Sequence, residues 1–319
     1  MFSKEYLLKL AGQTGFQAVS LQKQMRLLDL LREISRHPLL RDKFALKGGT
    51  AINLFWFPLP RLSVDIDLNY VGSVDRQTML EERPRLEREL KKLIESRSIA
   101  VEHAPADEHA GAKWRLRASS AFGGNFTLEI DLNYMMRVPV WGVYAKKPYP
   151  LDEDYAFEFK SVSFEELFAG KIKALMERSA ARDLYDVLML ANKTAQYNLA
   201  SLRRTVILFG ITSKEDWRKK DFHTIDEIDQ KMIEDELTPL LRQSETANLG
   251  EMKSSAKDFS AKISSYEENE KRFLDWFLDQ GEYEPELLFG ENEQAQLLKY
   301  HPAVLWKLQN LRKFLGLEY

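Results

Sequence analysis

Two short stretches of the chain place carboxylates at every second position. Across 61–71, Leu62, Val64, Ile66 and Leu68 alternate with Ser63, Asp65, Asp67 and Asn69. Across 126–134, Leu128, Ile130 and Leu132 alternate with Glu129, Asp131 and Asn133. A period of two is the pattern of a strand with one buried face. Asp and Asn are poor strand formers, so a row of them needs a reason. If the two strands are neighbours, Asp131 stands beside Asp65 and Asp67. Clustered carboxylates repel, and a hard divalent cation such as Mg²⁺ or Mn²⁺ removes that repulsion. Two such ions can clamp the entering and leaving oxygens of an in-line displacement at phosphorus. Either strand alone reads more readily as a solvated sheet face; two of them behind a glycine turn favour chemistry.

That turn is Lys47-Gly48-Gly49-Thr50-Ala51. A Gly-Gly pair entering a helix lets backbone N–H groups approach an oxyanion closely. No Gly-Lys-Ser/Thr loop exists, which argues against P-loop chemistry. Further on, Lys171, Leu175 and Arg178 share one helical face, and Arg182 and Asp186 share another. This pair of helices either grips a phosphate tail or carries ordinary surface ion pairs. Arg203, Arg204, Lys214, Arg218, Lys219 and Lys220 surround Trp217. Cations with a stacking aromatic suit RNA; an exposed helix end is the other reading.

Composition removes several classes. The 319 residues contain no cysteine, which excludes disulfide scaffolds, zinc-thiolate sites and cysteine nucleophiles. The five histidines form no spaced metal pair, and His103 and His109 read as surface residues. Ser63 has no histidine at elbow-like spacing, so a serine hydrolase is not expected. No apolar run approaches the roughly 18 residues of a membrane span. The start, MFSKEYLLKLAGQTGF, lacks a basic-then-apolar leader pattern, so a cytoplasmic protein is expected. Net charge is −3 but uneven: residues 1–150 carry 23 Lys and Arg against 17 Asp and Glu, and residues 151–319 carry 23 against 32. The basic front half could meet a polyanion.

These residues need elements to hold them. Apolar spacing predicts helices over 21–36 and 75–96, and a turn into a short helix over 47–57. Strands are expected over 99–103 and 113–118, with a Gly123-Gly124 hairpin before the second carboxylate strand. Ser163-x-x-Glu166 fits a capping box opening a helix to about 178. Helices follow over 181–192, 199–209, 225–241, 249–264, 265–278 and 291–315. An α+β domain over 1–160 and a mainly helical domain over 161–319 are therefore expected.

The order of these motifs is the layout of polymerase-beta-type nucleotidyltransferases. Leu46-Lys-Gly-Gly-Thr-Ala-Ile-Asn-Leu54, Arg61-Leu-Ser-Val-Asp-Ile-Asp-Leu68, Glu129-Ile-Asp131, and Lys171 with Arg182-Asp-Leu-Tyr-Asp186 together resemble the AbiEii family. These are nucleotidyltransferase-like toxins of the AbiE and MenT type IV toxin–antitoxin systems. The resemblance covers about 46–186 and implies a role for each matching position. Lys47, Gly48, Gly49 and Thr50 would lie at the triphosphate, with Ser63, Lys171 and Arg182. Asp65 and Asp67 would bind Mg²⁺, with Asp131 as a third acidic position. Asp186 would complete the last motif, and Arg61, Arg178 and Arg182 would support it. The implied reaction moves NMP from an NTP to RNA, particularly the tRNA 3′ end, and so blocks translation. The implied partners are that RNA and an antitoxin that acts without a stable complex; a monomer is expected. Transfer of AMP to protein hydroxyls, and NTP binding without catalysis, stay open as alternatives.

Overall fold

The computed structural model describes residues 2–104, 111–151, 156–193 and 197–317; His109 lies outside them. The chain forms two compact units. The first comprises Met1–Arg137, Val143–Val162 and Leu237–Thr246, and the second Val138–Gly142, Ser163–Glu236 and Ala247–Tyr319. A single crossing near residue 160 was the expectation. The chain instead crosses after Val162, gives five residues of the first stretch to the second unit, and sends Leu237–Thr246 back. That returning segment is held by backbone groups: Leu62 N–H donates to the Leu240 carbonyl at 2.8 Å, and Gln243 N–H to the Gly15 carbonyl at 2.8 Å. Backbone pairing of this kind leaves no mark in residue type.

The first unit is built on a seven-stranded mixed sheet. Its strands are β1 (Phe44–Lys47), β2 (Asp65–Tyr70), β3 (Ile99–His103), β4 (Gly111–Ser119), β5 (Asn125–Asn133), β6 (Val143–Lys146) and β7 (Phe159–Val162). They lie in the order β3-β4-β5-β2-β1-β7-β6. β2 runs parallel to β5, and β1 runs parallel to β7 and antiparallel to β2. Helices α1 (Lys4–Thr14), α2 (Ala18–Arg36), the one-turn α3 (Gly48–Ala51) and α4 (Arg76–Ser96) complete the unit. α3 continues as a π turn over Ile52–Trp56.

Alternation puts Ile66, Leu68 and Tyr70 on the face opposite Asp65 and Asp67, and all three are fully buried. The Tyr70 hydroxyl donates to Glu82 of α4 at 2.7 Å, so α4 covers that apolar face. β2 begins at Asp65, four residues later than expected. Arg61 and Ser63 therefore precede the strand, where hydrogen bonds to α2 and to the chain's own backbone replace ladder pairing. The hairpin at Gly123-Gly124 joins β4 and β5 in antiparallel register.

The second unit is helical among its described residues. It opens with α5 (Phe164–Glu177), α6 (Ala181–Ala191) and α7 (Leu199–Gly210). Later helices span Leu249–Ile263, Glu268–Asp275 and Pro302–Leu315. Two long helices expected from periodicity are broken. The 225–241 stretch forms short turns, with Asp229 capping Gln230–Met232 and Pro239 inside Thr238–Leu240. The 291–315 stretch splits before Pro302, whose ring favours a helix start over a helix interior. No helix among the described residues is long and apolar enough to cross a membrane.

The capping box at the head of α5 forms by half. Ser163 Oγ accepts the Glu166 N–H at 3.2 Å. The buried Glu166 carboxyl turns instead to the Trp141 backbone N–H, at 3.3 Å. Burial pushes that carboxyl up to about 8, against the pull of the Trp141 and Val140 N–H groups. The folded chain therefore keeps a proton on Glu166 that the unfolded chain loses near 4.5. A raised carboxyl stabilises the fold at low pH, and that contribution is lost as pH rises toward the folded value. Urea unfolding midpoints of the wild type should thus fall between about pH 4.5 and about 8 by an amount that Glu166→Gln removes. Glutamine keeps the acceptor oxygen, so an unchanged pH slope in that variant would place the proton elsewhere.

Candidate active site

The carboxylate strands are neighbours. In the parallel β2–β5 ladder, Asp65 faces Glu129, Asp67 faces Asp131, and Asn69 faces Asn133. Lys47 of β1 stands opposite Asp67 on one side, and Lys113 of β4 opposite Asp131 on the other. One row across four strands therefore reads Lys47, Asp67, Asp131, Lys113. Lys47 Nζ lies 3.9 Å from Asp131 Oδ2, and Lys113 Nζ lies 2.7 Å from Glu129 Oε2. Burial pushes the Asp131 carboxyl up, opposed by Lys47 and reinforced by Asp67. Glu129 holds the Lys113 ammonium above its ordinary value, and Asp65 and Asp131 add to the effect. Lys113 went unremarked in the sequence. Its signal was the exposed Lys113, Arg115, Arg117 face of β4, which becomes meaningful only once β4 is known to flank β5.

The glycine turn sits directly against this row. Gly48 has φ +69°, a left-handed conformation that favours glycine, and a Cβ there would lie 2.0 Å from Asp67 Oδ2. The backbone at Gly48 and the Asp67 carboxylate thus pack directly against one another. The Thr50 hydroxyl donates to the Asp65 backbone carbonyl, and Asn53 Nδ2 donates to the Gly49 carbonyl at 2.9 Å. Thr50, expected at the nucleotide, here ties the turn to the first residue of β2. Gly48→Ala should therefore displace Asp67 and strain the turn, costing about 1–3 kcal/mol of stability. A melting curve and a transfer assay on the same variant check this; retained stability with full activity would refute the fit.

Ser63 is buried, and its N–H donates to Gln24 Oε1 of α2 at 2.8 Å. Arg61 is also buried, with Nη1 donating to the Leu62 carbonyl at 2.8 Å. Both fix the approach to β2.

In the second unit, Lys171 Nζ lies 2.8 Å from Asp183 Oδ1 and 2.9 Å from Asp186 Oδ2. Arg178 Nη2 lies 2.8 Å from Asp183 Oδ2. Burial opposes a charge on Asp183, but Lys171 and Arg178 outweigh it and hold the carboxyl below its ordinary value. Asp186 is fully buried. Arg182, one turn before Asp186 on α6, is half-buried. Surface ion pairing, one of the two readings of this segment, does not describe so buried a cluster.

The cationic segment expected to face RNA is corrected by its surroundings. Trp217 is 1% exposed, with its ring against Gly210, so no base can stack on it. Arg203 is buried, with Nε 2.7 Å from Glu270 Oε2, and Arg204 lies near the same glutamate. Arg218 reaches Asp216, Asp275 and Asp279 at 2.6–2.9 Å, and Lys220 reaches Glu215 at 2.6 Å. Lys219 is exposed. The acids that match these cations come mostly from residues 267–279, too distant in sequence to be foreseen.

Asp65, Asp67 and Asp131 are oxygen donors of the kind a hard cation takes. Among the described residues no three such groups are gathered closely enough to hold an ion alone. Mg²⁺ commonly takes one or two carboxylates and completes its shell with water and substrate phosphates. The donor set therefore fits a cation that binds together with a triphosphate.

No curated protein matches the chain. Among solved structures it is similar to MenT4, a nucleotidyltransferase toxin from Mycobacterium tuberculosis H37Rv. The TM-score is 0.63 at 15% identity, over 98% of this chain and 99% of that one. At that identity the likeness speaks for the fold. Residues 29–280 match the family described as nucleotidyl transferase AbiEii toxin, type IV TA system. That span exceeds half of the chain and contains the glycine turn, both carboxylate strands and the Lys171 cluster. The chain belongs to the AbiEii nucleotidyl transferase toxin family.

Proposed function

We propose that this protein transfers NMP from an NTP to an RNA acceptor, the 3′ end of tRNA, with a divalent cation at Asp65 and Asp67. The observation that supports this best is the Lys47, Asp67, Asp131, Lys113 row lying against the Gly48 backbone. Bound there, Mg²⁺ or Mn²⁺ would neutralise triphosphate charge and make the acceptor hydroxyl more acidic. Asp65 and Asp67 would hold it, with Asp131 beside them. The Gly48-Gly49 turn lets a phosphate oxygen come close to backbone N–H groups. Lys47 offsets the charge of the two aspartates nearest to it. The acceptor hydroxyl gives up its proton to water, its oxygen forms a bond to the α-phosphorus, the bond from that phosphorus to the bridging oxygen of the β-phosphate breaks, and pyrophosphate leaves. Positioning and charge placement supply most of the rate, as in other phosphoryl transfers. Lys171 and Asp186 enter the proposal as residues of the second unit whose part in transfer a variant can decide.

A type IV toxin family implies a cognate antitoxin. We take it to act without a stable complex, on a cytoplasmic monomer. The test incubates the protein with Mg²⁺, total tRNA and each α-labelled NTP in turn. A labelled tRNA band names the nucleotide. Label in protein alone would indicate AMP transfer to protein hydroxyls; bound nucleotide without any label would indicate a binding module.

A further inference from the structure

The polar face that carries the carboxylates continues past β5. A second cross-strand row, beside the first, reads His103, Arg115, Glu129, Asp65 across β3, β4, β5 and β2. Residues opposed across a ladder share a face, so Lys113, Arg115 and Arg117 of β4 stand on the side of Asp131 and Glu129. All three are exposed. A rise of about 3.4 Å per residue spaces them about 7 Å apart, and two inter-strand steps of about 4.8 Å put Arg115 about 10 Å from Asp65. Lys113 pairs with Glu129 at 2.7 Å and Arg117 with Glu102 at 2.6 Å. Arg115 has no acidic partner among the described residues, and Glu129, its neighbour in register, is engaged by Lys113. Two ordinary explanations of these cations fall short. Cations often guard an edge strand, but β4 lies between β3 and β5. Cross-strand ion pairing accounts for Lys113 and Arg117 and leaves Arg115 out.

The direction of the chemistry gives this face a use. An in-line displacement puts the entering oxygen and the leaving group on opposite sides of the phosphorus. In the transfer proposed above, the leaving pyrophosphate belongs with the glycine turn and Lys47, which flank Asp67 on its β1 side. The acceptor hydroxyl then enters from the β5 side, and the strand that carries it comes over β4. That strand brings one negative charge per phosphate close to Asp131 and Glu129. Cations on β4 offset the repulsion without taking the place of the divalent ion.

We propose that the exposed face of β4 is the acceptor subsite: the RNA strand leading to the reacting hydroxyl lays its phosphates along Lys113, Arg115 and Arg117, with Arg115 as the main contact. This rests on the transfer reading above. Contacts of this kind position a backbone and read no base sequence. An acidic protein surface is the other polyanion such a face could take, and the test separates the two.

The test measures binding of fluorescein-labelled tRNA to the full chain in EDTA, where no transfer occurs, across a salt series. In parallel, KM for tRNA and KM for the NTP are measured with Mg²⁺. Arg115 is exposed, so Arg115→Gln should melt at the wild-type temperature. It should weaken tRNA binding about tenfold and lower the salt slope by about one, and Arg115→Lys should restore most of the loss. KM for tRNA should rise by a similar factor while KM for the NTP stays unchanged, which a disturbed triphosphate site would not allow. Lys91→Gln is the control: Lys91 is 53% exposed on α4, which covers the opposite face of the sheet, and its loss should leave tRNA binding unchanged. If the folded Arg115→Gln chain binds tRNA and transfers to it as the wild type does, the proposal falls and the transfer reading stands. If Lys91→Gln weakens binding as much as Arg115→Gln, the effect is one of overall charge and the proposal also falls. If label enters protein, and Arg115→Gln lowers that label with tRNA binding unchanged, the face takes an acidic protein and not RNA. If the wild type labels no RNA while Arg115→Gln still weakens tRNA binding, the transfer reading falls and β4 remains an RNA-binding face.

Discussion

Asp65→Ala is expected to lower nucleotide transfer by at least about a thousandfold and to abolish growth arrest, because in the proposed reaction it removes one of the two carboxylates that would hold the cation. The fold should survive the change. The contact that anchors the glycine turn runs from the Thr50 hydroxyl to the Asp65 backbone carbonyl, which alanine retains. The side chain shares its strand face with Asp67 and faces Glu129 across the ladder, so removing it also relieves like-charge crowding. Asp67→Ala should be equally inactive, but it opens the space against Gly48 as well. The comparison separates lost ligation from a moved turn. The assay is transfer of α-label to tRNA, beside a melting curve for each variant. A folded Asp65→Ala protein that transfers within tenfold of the wild type would remove the carboxylate row from the mechanism.

The carboxylate row was legible because strand periodicity is short-range. Alternation in 61–71 and 126–134 gave the faces, and the two buried halves could be read from Ile66, Leu68, Ile130 and Leu132 alone. That the strands are adjacent, and parallel, came from the fold. The flanking lysines were half legible. Lys47 belonged to a quoted motif, but Lys113 acquires meaning only when β4 lies against β5. The cationic segment around Trp217 misled for a related reason. Sequence shows which charges are near in the chain, and ion pairing depends on which are near in space. Glu270, Asp275 and Asp279 sit far along the chain from Arg203 and Arg218 yet match them directly. An aromatic beside cations suggests a stacking surface, but the chain turns back after α7 and lays the Trp217 ring on Gly210, where the missing side chain makes room for it. The start of β2 was set too early because Arg61 and Ser63 continue the alternation. The Ser63 N–H donates to Gln24 of α2 and the Leu62 N–H to the Leu240 carbonyl of the returning segment, which holds this stretch outside the ladder.

Lys171→Ala is expected to cost about 3–5 kcal/mol of stability, the range for breaking a buried ion pair from one side. Its ammonium is the partner of two carboxylates whose side chains are 2% and 0% exposed, Asp183 and Asp186. Arg178 stays beside Asp183 but is itself largely exposed, so it compensates little. The pH dependence identifies the cause. Asp183 is held below its ordinary value of 3.8, so in the wild type its contribution is present above that value and is lost as pH falls through the depressed one. Without Lys171 the same carboxylates become buried charges with a weaker partner, and protonation relieves them. The deficit of Lys171→Ala should therefore be largest at neutral pH and shrink as acid is added. A deficit independent of pH would mean lost packing rather than lost charge. Loss of transfer in this single variant would prove nothing about chemistry, since unfolding of the second unit would remove it as well. The informative protein carries Lys171→Met, Asp183→Asn and Asp186→Asn together, which removes the charges as a set. If it regains the fold and still fails to transfer, at least one of Lys171, Asp183 and Asp186 takes part in the reaction. If it regains both fold and transfer, the cluster's whole work is to hold α5 against α6.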